Sequence, residues 1–201
     1  MPNLTANIIR EALAAWALDL VSDLIVDAQA IAGPLEPGEL PPLPTVGIEW
    51  STAYGITEYP DVSFDVDGSE RWMIQTEEAE LAFVWRSNDR DEADLLAHAF
   101  KSRSAIESSE SNPDGNRVLH FFVNLDGQSY LAKLYELGTV EPPNPTDAGE
   151  RSLYTQRIPA SVIYPSVYLR DADLAEMNIG VTVNGTIYPK PSILILDETK
   201  F

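Results

Sequence analysis

Residues 118–137, VLHFFVNLDGQSYLAKLYEL, constrain the fold more than any other stretch. Two alternating runs, 118–125 and 129–137, flank Asp126-Gly127. Glycine takes the positive φ that a tight hairpin turn needs, so the two runs pair as antiparallel strands. The same logic applies to MNIGVTVNGTIYP, residues 177–189, turning at Asn184-Gly185. A chain with two such hairpins is committed to an antiparallel sheet.

Further strands fit around them. TVGIEW (45–50), DVSFDV (61–66) and PSILIL (191–196) are strand candidates. ERWMIQTEEAELAFVWR (70–86) reads as one long strand or two. Its period of two puts Leu81, Phe83 and Trp85 on one face and Ala82, Val84 and Arg86 on the other. LYTQRIPASVIYPSVYLR (153–170) reads as extended, with Pro159 and Pro165 confining it to an edge or to bulges. Two segments have helical spacing instead. In residues 4–31, Ile9, Leu13, Trp16, Leu20 and Leu24 recur at intervals of three and four, and Leu18, Val21 and Ile25 widen the stripe. Asn3 or Thr5 can cap this helix. Residues 89–103 form the second helix, with Leu96, Ala99 and Phe100 on one stripe. The expected fold is α+β: a mainly antiparallel sheet with a long N-terminal helix and a second helix packed on it. One domain, 1–201, is expected, with proline-rich excursions at 33–44 and 141–150 and a polar loop over 108–116. There is no internal repeat.

A hydrophobic fraction of 44% allows an ordinary buried core. No run of 18 apolar residues spans a membrane, and the N-terminus reads as no secretory leader, since it lacks a basic start and Asp19, Asp23 and Asp27 interrupt it. There is no cysteine, which removes disulfides, thiolate catalysis and thiolate metal sites together. The charge is one-sided: 32 acids against 13 bases, a formal −19. Such a surface repels phosphates, which argues against a sequence-reading nucleic-acid role.

Candidate chemistry is sparse. In SNDRDEAD (87–94), Asp89, Asp91, Glu92 and Asp94 offer oxygen ligands for a divalent cation. On a helix they do not converge; Asn88 or Asp89 as N-cap, with Glu92 completing a capping box, accounts for the same residues. SFDVDGSERWMI (63–74) resembles a calcium loop, but Ser63 and Ile74 stand where its first and last ligands belong. An Asp67-Gly68 hairpin turn explains it better. His98 and His120 read as structural or surface residues. Tyr154, Tyr164, Tyr168 and Tyr188 read first as sheet packing, with a wet binding surface as the alternative. VNGT (183–186) contains a glycosylation acceptor without a secretory context. No GxSxG, GxGxxG or P-loop occurs. No enzyme activity, catalytic residue, metal or cofactor is expected.

The order of parts carries a resemblance. An amphipathic helix leads into strands; ELAFVWR ends at a short polar turn and an acid-capped helix, DEADLLAHAFK; a hairpin and a late extended segment follow. This order resembles the tail terminator (tail completion) proteins of long-tailed bacteriophages, most closely over 79–103. The resemblance implies a virion protein assembled in the host cytoplasm. It would form a homohexameric ring at the head-proximal end of the tail. Its partners would be the tail tube protein and a neck or stopper protein, with no membrane partner. The ring would end tube polymerisation and leave a channel through which DNA passes unbound. A lumen rich in carboxylates suits that passage. Other readings are a different neck or tail ring protein (a stopper or tube subunit), an acidic carbohydrate- or protein-binding β-domain, and a hydrolase with paired carboxylates.

Overall fold

The computed structural model describes residues 4–24, 29–31, 43–55, 61–64, 70–107, 110–111, 117–125, 127–135, 137–142, 144–148, 151–169 and 177–194. In chain order these form α1 (Leu4–Val21), β1 (Gln29–Ile31), β2 (Thr45–Gly55), β3 (Asp61–Phe64), β4 (Glu70–Ser87), α2 (Arg90–Glu107), β5 (Glu110–Ser111), β6 (Arg117–Leu125), β7 (Gln128–Tyr135), β8 (Asn144–Ala148), β9 (Arg151–Leu169), β10 (Met177–Val183) and β11 (Thr186–Leu194). The fold is α+β. The main sheet runs β1-β2-β4-β9-β7-β6-β10-β11, with β3 beside β4, β5 beside β6 and β8 beside β9. Every pairing is antiparallel except that of β1 with β2.

Both foreseen hairpins form. Leu125 pairs with Gln128 across a turn whose Gly127 has φ 83°, and Val183 pairs with Thr186 across Asn184 (φ 47°) and Gly185 (φ 83°). Two successive residues at positive φ match the twist of the flanking strands. Residues 70–86 belong to one strand, not two.

Both helices lie on one face of the sheet. α1 touches β2 near one end of the path and β10 and β11 at the other, so the sheet curls about it. Ile9, Leu13, Trp16, Ala17 and Val21 of α1 are buried with Phe83 and Trp85 of β4, Phe121 and Val123 of β6, and Val162 and Tyr164 of β9. Phe100 of α2 sits at the centre of the aromatic contacts. Its ring lies 4.6 Å from Phe83, 5.5 Å from Trp16 and 5.8 Å from Trp85. The wide apolar stripe of α1 is explained by these two contacts, sheet on one side and α2 on another.

Five sequence expectations need correction. The helix expected over 4–31 ends at Val21. Ser22 and Leu24 donate back to the Asp19 and Val21 carbonyls in a tight turn. Arg103 of α2 donates to the Leu20 carbonyl at 2.6 Å and binds the Asp23 carboxylate, satisfying the helix end from outside. Gln29–Ile31 are then free to pair with Thr45–Gly47 as β1. Thr5 is not a cap: it lies within α1, and its hydroxyl donates to the Pro165 carbonyl at 2.8 Å. Asn3 and most of the 33–44 excursion lie outside the described residues. Within the excursion expected over 141–150, Asn144–Ala148 instead form β8, paired with Arg151–Thr155. Within the expected 108–116 loop, Glu110–Ser111 form β5, and α2 continues to Glu107.

The fifth concerns β9, an interior strand despite its prolines. It pairs with β4 without a break from Trp72↔Leu169 to Ser87↔Tyr154. In an antiparallel strand the N–H and C=O of one residue point the same way. The Pro159 carbonyl accepts from Gly138 N (2.7 Å) and that of Pro165 from Thr5, both away from β4. The missing donors therefore fall beside the irregular segment 137–142 and at a position beyond the β7 pairing, which stops at Ile163. The prolines occupy local gaps inside a central strand. Gly138 permits the close approach: a Cβ there would come within 2.6 Å of the Pro159 ring.

Candidate functional site

The acidic cluster is a helix start. Asp89 Oδ1 accepts from the Asp91 and Glu92 amides at 2.8 and 3.3 Å, the geometry of an N-cap. The capping box closes through an intermediary. Ser87 Oγ accepts from the Asp89 amide at 3.0 Å and donates to the Glu92 carboxylate. Asp94 turns toward the sheet, accepting from Gln156 Nε2 at 2.8 Å, with His98 Nε2 3.6 Å away. Asp89, Glu92 and Asp94 thus have separate tasks. Among the described residues no group of three or more His, Asp or Glu side chains is placed to hold a metal ion.

The calcium-like stretch belongs to a hairpin. Ser63 pairs with Trp72 and Phe64 with Glu70, while Asp67-Gly68 lies outside the described residues. His98 is on α2 and His120 on β6, whose residues of that parity face away from the helices; the two share no site. Tyr164 is fully buried and donates to the buried Glu77 at 2.8 Å. Tyr188 donates to Asp19 at 2.5 Å, fastening β11 to α1. Tyr164 and Tyr188 pack and fasten the fold at separate places. The side chain of Tyr168 lies outside the described residues. Asn184 of the VNGT sequence is a turn residue.

The polar cluster of the bare face was missed by sequence reasoning. β2, β4 and β9 lie side by side, and their residues of one parity point away from the helices. Arg86 Nη2 donates to Glu49 Oε1 at 2.9 Å, Arg157 binds the other oxygen of the same carboxylate, and Glu141 lies 3.6 Å from Arg157 Nε. The sequence suggests that Arg86 marks where the strand leaves the core; instead Arg86 is only 8% exposed. Burial lowers its guanidinium pKa first of all, the Glu49 charge draws it back up, and the Arg157 charge lowers it again. Beside the cluster is a shallow depression of about 490 Å³, lined among others by Glu49, Ser51, Glu80, Glu141, Arg157 and Ser161. The Ser51 hydroxyl is committed to the Glu80 carbonyl at 2.9 Å, and no histidine lines the depression. The arrangement balances charge across three strands. The signal available in sequence was the alternation in IEW, VWR and RIP, which puts Glu49, Arg86 and Arg157 on one face once strand order is known.

No protein-family model matches the chain, and no curated protein matches it.

Proposed function

We propose that the chain is a structural ring subunit of a long-tailed phage, the tail terminator. Six copies would cap the head-proximal end of the tail tube, join it to the neck and leave a channel for DNA. The reading makes the chain a non-enzymatic virion protein. Its partners are its own copies, the tube protein and a neck protein. It rests on the order of sequence parts given above, and one structural observation carries it furthest.

That observation is the ribbon at the far end of the long strands. α1 is tied to β9 at Pro165, yet β9 runs on to Leu169, about 13 Å farther at the usual rise per strand residue. There Val167–Leu169 flank Trp72–Ile74 of β4, and β3 flanks β4 on the other side. Among the described residues no strand pairs with the outer side of β3 or with Val167–Leu169 from the side opposite β4. Open backbone edges are a liability for a solitary protein and an asset for one that joins copies in a closed ring. The acidic surface suits a channel wall that lets DNA slide past.

Electron microscopy of the purified protein tests the reading. A ring of fixed rotational symmetry is expected, with its lumen acidic. Monomers at every concentration, or a strongly basic lumen, would contradict it.

A further inference from the structure

Three large apolar side chains stand exposed on the bare face of the sheet: Leu131 (51%), Phe122 (45%) and Ile187 (54%). They form one row. Leu131 is the register partner of Phe122, Phe122 of Thr182, and Thr182 of Ile187, so the row crosses β7, β6, β10 and β11. Directly opposed residues point to the same face. Beside the row stands exposed Lys133, one of 13 bases in a chain of 32 acids, next to Leu131 on the same face of β7.

The counterpart lies on the other side of the molecule. α2 turns Ala93, Leu96, Ala97 and Phe100 inward and leaves Leu95 53% exposed. One helical turn from Leu95 are exposed Asp91 and the Glu92 carboxylate on one side and exposed His98 on the other. The β-row is thus apolar with a cation, and the α2 face is apolar with anions.

We propose that these two surfaces meet between copies: Leu95 of one subunit seats on the Leu131–Phe122–Ile187 row of the next, with Asp91 facing Lys133. This rests on the ring reading and names the contact that builds it. The surfaces are different and lie on opposite sides of the sheet, so the contact is head-to-tail. A head-to-tail contact propagates from copy to copy and closes when its rotation divides a full turn. A second copy is the occupant favoured by charge. An acidic partner complements the row's lysine, and this chain carries an exposed apolar residue with acids one helical turn away on its own surface.

The test uses full-length Leu131→Glu and Leu95→Glu, each placing a charge where the facing surface is apolar, with the two altered surfaces repelling each other. Both positions are exposed, so circular dichroism should show native folding. Lys133→Glu serves as a second row variant if Leu131→Glu misfolds. Sedimentation velocity should show wild type assembled, and each variant alone dissociated, with self-association weakened more than about tenfold, the scale of a lost interface anchor. Mixed one to one, the variants should form two-copy particles and nothing larger, because only one intact pair of surfaces remains. If only the row variant dissociates, the contact is row against row and the proposal fails. If only the Leu95 variant dissociates, or both dissociate and the mixture stays monomeric, it also fails. Both variants assembling as wild type would overturn this contact while leaving the ring reading in place. A wild type that never assembles would sink both.

Discussion

The two faces of β4 are buried by different physics. Toward the helices, Leu81, Phe83 and Trp85 enter the apolar core against α1 and α2. On the opposite face Ala82 and Val84 are also buried, but their neighbour Arg86 is held by a carboxylate shared with Arg157. The first face is stable through area and shape. The second depends on charges that remain paired. A single strand therefore shows that burial alone does not identify a core, and each face predicts its own pattern of failure.

The helix side should break hardest. Phe100→Ala removes the ring that touches Phe83, Trp16 and Trp85, and should cost about 3–5 kcal/mol in urea unfolding. A cost under about 1 kcal/mol would mean that the aromatic cluster repacks, and the contrast would fail. On the bare side, Glu49→Gln leaves Arg86 buried without its carboxylate. With Glu49 one-third exposed (33%), the expected cost is roughly 1–3 kcal/mol. Replacing the cation itself, Arg86→Met, should cost less than Glu49→Gln, because an apolar side chain of similar length strands no charge. The reverse order would show that the ion pairs there stabilise outright.

Smaller effects sharpen the ends of the elements. Asp89→Ala removes the α2 cap and should cost about 1 kcal/mol, whereas Asp91→Ala, with no capping bond from its side chain, should cost a few tenths at most. The smallest is a pH effect. The Arg103 hydrogen bond, opposed by desolvation and aided by the Arg103 charge, holds the Asp23 carboxyl below the ordinary range. A depressed folded pKa contributes stability above the unfolded value of about 3.9, lost as pH falls through the folded value. Asp23→Asn should therefore lower stability near neutrality and flatten the acid limb of the stability curve. NMR titration of Asp23 reads the same shift directly.

Much of the fold was legible because its signals are local. Asp126-Gly127 and Asn184-Gly185 specify turns through φ alone, and alternation over 81–86 assigns both faces of β4 correctly. The α2 start was legible from Asp89 and Glu92, although the route through Ser87 was not. Errors arose where a distant residue decides. Helix α1 stops at Val21 partly because Arg103, 83 residues after Leu20, takes the Leu20 carbonyl. Pro159 and Pro165 fit an interior strand because their missing donors point away from β4, beside segment 137–142 and beyond the end of the β7 pairing. The Glu49–Arg86–Arg157 cluster comes from three strands whose adjacency no single segment encodes.

Imaging the purified wild-type protein by electron microscopy decides whether the proposed ring exists. Closed rings of one symmetry, six subunits around an acidic channel, are expected. Single, unassociated particles at every concentration would contradict it.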